Sequence, residues 1–198
     1  MIKRVIGITG SIGCGKSTVA KKIRALGHQV IDCDEIGHKL LLKNNLGYKK
    51  VVNAFGKRIL NNNEEIERSI LGKIIFDNQE ERKKLNDILH PLIKDEVIKL
   101  INDSEEYLIF MECPLLFETD FHKLCDYKVV VYLDLDNQIW RVMKRDNIDF
   151  PQALKKIYAQ DSLENKLDNA DFIIDNCHNE GDLDWQIKQM ILKIERIR

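Results

Sequence analysis

Proline is scarce in this sequence of 198 residues: there are three, and no Ser/Gly/Pro-rich tract or internal repeat breaks the chain. That excludes a low-complexity scaffold and a repeat array. Cysteine is limited to five residues, Cys14, Cys33, Cys113, Cys125 and Cys177, with no Cys-x-x-Cys pair. An odd number without metal-ligand spacing argues against a disulfide framework and a zinc site, and suits a reducing cytosol. No apolar run approaches a membrane span in length, and the chain enters a strand almost at once, without the long apolar core of a secretory leader. A cytoplasmic protein with no membrane partner is the expectation. Excess charge of one sign is also missing, since 31 Lys+Arg against 32 Asp+Glu leave a formal net charge of −1. No bulk field asks for nucleic acid, so any anion binding has to be local.

What is present is a globular balance, 44% hydrophobic and 32% charged residues, in a length that fits one domain or one domain with an insertion. The organising stretch is Gly10 to Thr18, Gly-Ser-Ile-Gly-Cys-Gly-Lys-Ser-Thr, which fits G-x-x-x-x-G-K-[ST] on Gly10, Gly15, Lys16 and Ser17. Before it, Val5 to Thr9 reads as a buried strand; after it, Val19, Ala20, Ile23 and Leu26 recur at helical spacing. Strand, glycine loop and helix is the order a phosphate cradle needs. Backbone N–H groups of Gly13, Cys14 and Gly15 turn inward on a polyphosphate, and the helix N-terminus at Lys16, Ser17 and Thr18 adds its dipole. Lys16 reaches the β- and γ-phosphates, and the Ser17 hydroxyl binds Mg²⁺.

The rest of the chain alternates short strands and helices, as in a parallel α/β sheet. Gly27 is placed to close the first helix. Val30-Ile31 forms a second strand ending at Asp32-Cys33-Asp34, and a helix follows from about Glu35 to Leu42. From Lys43 to about Ser104 only helix and turn signals occur. Asp77 with Glu80 reads as a capping box, and Pro91 is expected to kink or break the last of these helices near Asp87. Strands resume at Tyr107–Met111, Val129–Leu133 and Phe172–Ile174. Helices are expected from Asp136 to Arg145, from Gln152 to Asp161 after Pro151, and from about Leu183 with Trp185, Ile187, Met190, Ile191 and Ile194 packing inward.

A phosphate loop names a nucleotide rather than a reaction. Asp32, Asp34 and Glu112 at strand ends could hold Mg²⁺ and take a proton from an acceptor hydroxyl, and Arg141 and Arg145 share one helix face. These favour a kinase, and no stretch is read as the guanine-reading Asn-Lys-x-Asp of a GTPase. Another small-molecule kinase, such as a nucleoside monophosphate kinase, and a non-catalytic nucleotide-binding module are the alternatives left at this point. Oligomeric state is not legible.

Ile8 to Thr18, Val30-Ile31-Asp32-Cys33-Asp34, His90-Pro91-Leu92-Ile93, Pro114-Leu115-Leu116-Phe117-Glu118, Arg145-Asp146 and Ala170 to Asn176 together resemble the dephospho-CoA kinase family over nearly the whole length. The resemblance implies a P-loop NTPase fold: a parallel five-stranded sheet flanked by helices, with core about 1–42 and 105–198, a helical substrate-binding insertion about 43–104 and a helical lid about 141–166. It implies ATP and Mg²⁺, and phosphorylation of the ribose 3′-hydroxyl of dephospho-CoA. Asp34 then corresponds to the base or acceptor-orienting carboxylate, for which a helix N-cap is the bland alternative. Asp32 sits on the metal side, Arg145 and Arg141 are lid arginines, and Asn176 falls on the ATP side. His90, Pro114, Leu115, Leu116 and Phe117 fall on the acceptor side, with core packing the alternative for Leu116. Ser11 and Cys14 stand where the family usually has glycine and serine, and Glu112 where it often has aspartate or an apolar residue. Cys14, beside a helix N-terminus, would be open to oxidation.

Overall fold

The computed structural model describes residues 3–160 and 163–197. Its strands are β1 (Arg4–Thr9), β2 (Gln29–Asp32), β3 (Leu108–Glu112), β4 (Tyr127–Tyr132) and β5 (Phe172–Asp175), in the order β2-β3-β1-β4-β5. Among the described residues the helices are α1 (Lys16–Ala25), α2 (Cys33–Leu40), α3 (Leu46–Phe55), α4 (Arg68–Asp77), α5 (Gln79–Asp103), α6 (Leu135–Asp146), α7 (Phe150–Ile157), α8 (Leu163–Asp168) and α9 (Glu180–Arg196). Two compact units result, one taking the chain up to Ile31 and from Glu105 onward, the other Asp32–Ser104.

The first unit holds the sheet. β1 pairs in parallel with β3 and β4, and β4 with β5; Ile8 lies opposite both Glu112 and Val129. This register brings the loop after β1 and the last residue of β3 to one edge. Central parallel strands are covered on both faces, so they need unbroken apolar runs rather than alternation. Accordingly Val5, Ile6, Ile8, Ile109, Phe110, Met111 and Val129 to Val131 are all buried. α1 lays Val19, Ala20 and Ile23 on this core and ends as expected at Gly27, whose φ of +93° only glycine adopts at little cost. α9 adds Leu183, Ile187, Met190, Ile191 and Ile194. Trp185 is a correction: it is exposed, because two residues past Leu183 lies about 200° round a helix of 3.6 residues per turn. α6 and α7 pack Ile139, Val142, Ala153 and Ile157 together, with Ile12 of the glycine loop against them. α7 starts on an Asp149–Gln152 capping box with Pro151 in its first turn and stops at Ile157; the expected end at Asp161 lies outside the described residues.

The second unit is helical. Its core is Val51, Phe55, Ile59, Leu71, Leu85 and Leu89. α2 starts two residues earlier than expected, because Asp32 caps it by accepting the Glu35 N–H at 3.0 Å. α5 is capped by Asn78, not Asp77, through bonds from the Glu80 and Glu81 N–H groups at 2.9 and 3.2 Å. Pro91 does not break α5, which runs for 25 residues through it. An internal proline costs ~3 kcal/mol; α5 packs on α2, α3 and α4, and the burial of Leu85 and Leu89 before the proline and of Val97 after it offsets that cost.

Candidate active site

The site is built on Gly10 to Ser17, between β1 and α1. Gly15 is the N-cap of α1, with φ 96° and ψ 23°, and no side chain caps the helix or adds an acid to its first turn. A helix start left in this state presents unpaired N–H groups and the positive dipole end, which together suit a phosphate. Lys16 Nζ folds back onto the carbonyls of Gly10 and Ser11, at 2.8 and 3.0 Å.

Around the loop, three elements set its shape. Asn176, just past β5, donates through Nδ2 to the Cys14 carbonyl at 2.7 Å and is buried. Asn176 thus holds the loop backbone at Cys14 from a buried position. Arg141 on α6 packs over Gly15, its Nη1 3.3 Å from where a β-carbon on that glycine would sit. From the far end of the chain, Gln160 Oε1 accepts the Ile12 N–H at 2.8 Å.

Ser17 Oγ donates to Glu112 Oε1 at 2.9 Å, and Glu112 is 5% exposed. The β1–β3 register produces this pair, and the strand-end position of Glu112 was the available signal. Its chemistry fits Mg²⁺, which dehydrates reluctantly and takes one or two protein oxygens beside phosphate and water. No group of three or more His, Cys, Asp or Glu among the described residues forms a metal cage of its own.

Arg145, one turn beyond Arg141, makes a two-pronged contact with its neighbour Asp146, at 2.7 and 3.2 Å, and Lys156 joins the same carboxylate at 2.7 Å. Arg145, with help from Lys156, holds the Asp146 carboxyl down at about 2. Arg145 is therefore anchored rather than free, while still exposed.

The Pro114 to Glu118 stretch divides between packing and surface. Leu116 is fully buried, its Cδ2 2.8 Å from where a β-carbon on Gly7 would lie. This burial favours the core-packing alternative for Leu116. The Pro114 carbonyl accepts from Thr9 Oγ1 at 3.1 Å and Lys166 Nζ at 3.3 Å, and the Leu115 carbonyl accepts from Thr119 Oγ1 at 2.7 Å. Phe117 lines a cavity of about 350 Å³ with His122, Lys128, Asn165, Lys166 and Asn169.

Lys166 also corrects the reading on GTPases. Asn165-Lys166-Leu167-Asp168 does spell Asn-Lys-x-Asp. It lies in α8, however, and Lys166 is wholly buried, 2.8 Å from Glu118 Oε1. A lysine sealed in an internal ion pair cannot lie against a base, so the letters carry no guanine site. Cys14 is likewise wholly buried, which removes the access that oxidation requires.

Asp32, Asp34 and His90 belong to the second unit. Asp32 takes the N-cap role, so the cap alternative for Asp34 falls; Asp34 is exposed in the first turn of α2. His90 is half-buried in α5, and burial lowers its pKa against the opposing pull of Asp87.

A family model for dephospho-CoA kinase matches residues 4–182. A dephospho-CoA kinase of Oceanobacillus iheyensis is 37% identical over 192 residues, 96% of each chain. Among solved structures, a dephospho-CoA kinase from Campylobacter jejuni is 34% identical with a TM-score of 0.71, covering 98% of both chains. A shikimate kinase from Acinetobacter baumannii, solved in complex with shikimate, shares the fold alone, at 16% identity and a TM-score of 0.58 over 99% of this chain and 96% of that one.

Proposed function

The chain belongs to the dephospho-CoA kinase family and is an ATP-using kinase of that activity; on this premise we propose how its residues divide the work. The uncapped start of α1 and the Gly10 to Thr18 backbone bind the polyphosphate, and Lys16 swings from the Gly10 and Ser11 carbonyls to the β- and γ-phosphates. The observation that carries this is the Ser17–Glu112 contact beside that helix start. Ser17 and Glu112 would hold Mg²⁺, with Asp32 in support; when bound, the ion neutralises charge on the β- and γ-oxygens.

Asp34 takes the proton of the ribose 3′-hydroxyl, or orients that hydroxyl, as transfer proceeds in line with no covalent enzyme intermediate. Arg141, already packed over the loop, and Arg145 stabilise the charge of the migrating phosphoryl group. The segment 141–166 acts as a lid and excludes water. His90, Pro114, Leu115 and Phe117 serve the acceptor side, and the helical unit holds the pantetheine arm. The enzyme is cytoplasmic on this reading and acts on a small-molecule acceptor without nucleic acid; among the described residues no helix is long and apolar enough to cross a membrane.

The test is ADP release with MgATP and dephospho-CoA, with AMP, dTMP and no acceptor in parallel and the product identified by mass. Turnover only with dephospho-CoA, giving a 3′-phosphorylated product, is expected; equal turnover with a nucleotide acceptor would refute the assignment. Asp34→Asn should abolish turnover while ATP still binds, and near-normal turnover would remove Asp34 from its role.

A further inference from the structure

A side chain just beyond α7 reaches the phosphate loop. Gln160 Oε1 accepts the Ile12 N–H at 2.8 Å. That partner is a backbone donor, so the carbonyl end of the amide faces Ile12 and the NH₂ end is left for another acceptor. Among the described residues Nε2 has no hydrogen-bond partner. Gln160 is half-buried and lines a cavity of about 490 Å³ with Ser11 and Gln138, closed by residues from the end of β4 and from α7 and α8.

The limb of the loop that Gln160 touches is identifiable. Lys16 Nζ rests on the Gly10 and Ser11 carbonyls, the two residues before Ile12. A phosphate-loop lysine serves the β- and γ-phosphates, so Gly10 to Ile12 marks the terminal-phosphate end of the cradle. Ile12 is also fixed from its other side, its side chain packing on Ile139, Val142, Ala153 and Ile157 of α6 and α7. Gln160 follows α7 by three residues, with its own N–H bonded to the Ile157 carbonyl at 3.3 Å. Amide and loop are therefore held by the same cluster.

We propose that Gln160 is a catalytic residue: Oε1 holds the Ile12 amide, and Nε2 donates to a non-bridging oxygen of the γ-phosphoryl group of bound ATP. This rests on assigning Gly10 to Thr18 to the polyphosphate. A donor fixed before the reaction stabilises charge where it develops without reorganising, and a neutral amide adds no ion pair to release with the product.

The isosteric variant Q160E separates this role from loop support, because a carboxylate still accepts the Ile12 N–H but cannot donate. With MgATP and dephospho-CoA, kcat should fall by about 10²-fold or more, the loss seen when one fixed donor is removed. ADP, which lacks the γ-phosphate, should bind Q160E within about threefold of the parent, read by calorimetry. Near-parental kcat in Q160E would overturn the proposal and reduce Gln160 to a prop for Ile12. If Q160E gives no cooperative melt, Q160A decides: kcat loss with ADP affinity kept supports the role, and equal loss of both overturns it. Lys16→Ala tests the premise separately, since unchanged ADP and ATP affinity there would refute the loop assignment itself.

Discussion

Gly15→Ala tests how the loop is held. The residue sits at φ 96° and ψ 23°, a left-handed conformation that costs a non-glycine residue ~1–2 kcal/mol. A β-carbon there would lie 2.2 Å from Asn176 Nδ2, so the amide has to move and give up its 2.7 Å bond to the Cys14 carbonyl. A buried hydrogen bond lost with its partner left behind costs ~1–3 kcal/mol. The sum is about 2–5 kcal/mol, below the ~5–15 kcal/mol stability of an ordinary domain, so the variant should fold, weakened. Asn176→Ala alone should cost about 1–3 kcal/mol, from the unpaired Cys14 carbonyl. In the double variant no amide remains to clash and the lost hydrogen bond is counted once, so its cost should fall short of the sum by about 1–3 kcal/mol. Urea unfolding of the four proteins at pH 7, followed by far-ultraviolet circular dichroism, measures the cycle. Additivity within about 0.5 kcal/mol would refute the clash as the mechanism.

Further outcomes follow from other contacts. Glu112→Gln should raise the Mg²⁺ concentration needed for half-maximal turnover about tenfold or more, because a neutral amide replaces the carboxylate beside Ser17; an unchanged Mg²⁺ titration would detach Glu112 from the metal. Leu116→Ala should destabilise the protein by about 2–5 kcal/mol, as a fully buried leucine does, with KM for dephospho-CoA unchanged in the folded fraction; a raised KM at unaltered stability would return Leu116 to the acceptor pocket. Asp146 has a folded pKa lowered to about 2 by Arg145 and Lys156, so the stability it supplies is present above its unfolded value near 3.8 and is lost as pH falls through 2. Asp146→Asn should therefore cost on the order of 1–2 kcal/mol at pH 7, after screening of the exposed Arg145, and progressively less below pH 4. A cost independent of pH would show that charge is not its origin.

Much of this was visible along the chain because it depends on neighbours in sequence. The strand before the glycine loop, the helix after it and the end at Gly27 are each set by a few adjacent residues and one periodicity. Asp77 and Asn78 are both good caps one residue apart, and only the backbone of α5 selects Asn78. Pro91 misled because a local cost of ~3 kcal/mol was weighed without the packing of Leu85, Leu89 and Val97 that offsets it. Trp185 misled because apolar character is not burial when the residue falls out of phase with its helix.

By itself, then, the amino-acid order determined the α/β class, the phosphate loop with Lys16 and Ser17, and the family, since motifs and periodicity are short-range properties. Only the tertiary structure decided which distant residues serve that loop. Strand register put Glu112 on Ser17, 95 residues apart, and the turn after β5 put Asn176 behind Cys14, 162 apart. Gln160 reached Ile12 across 148 residues. No spacing encodes such pairs: they form only when burial of the strands and of α6 and α7 fixes where separate segments end.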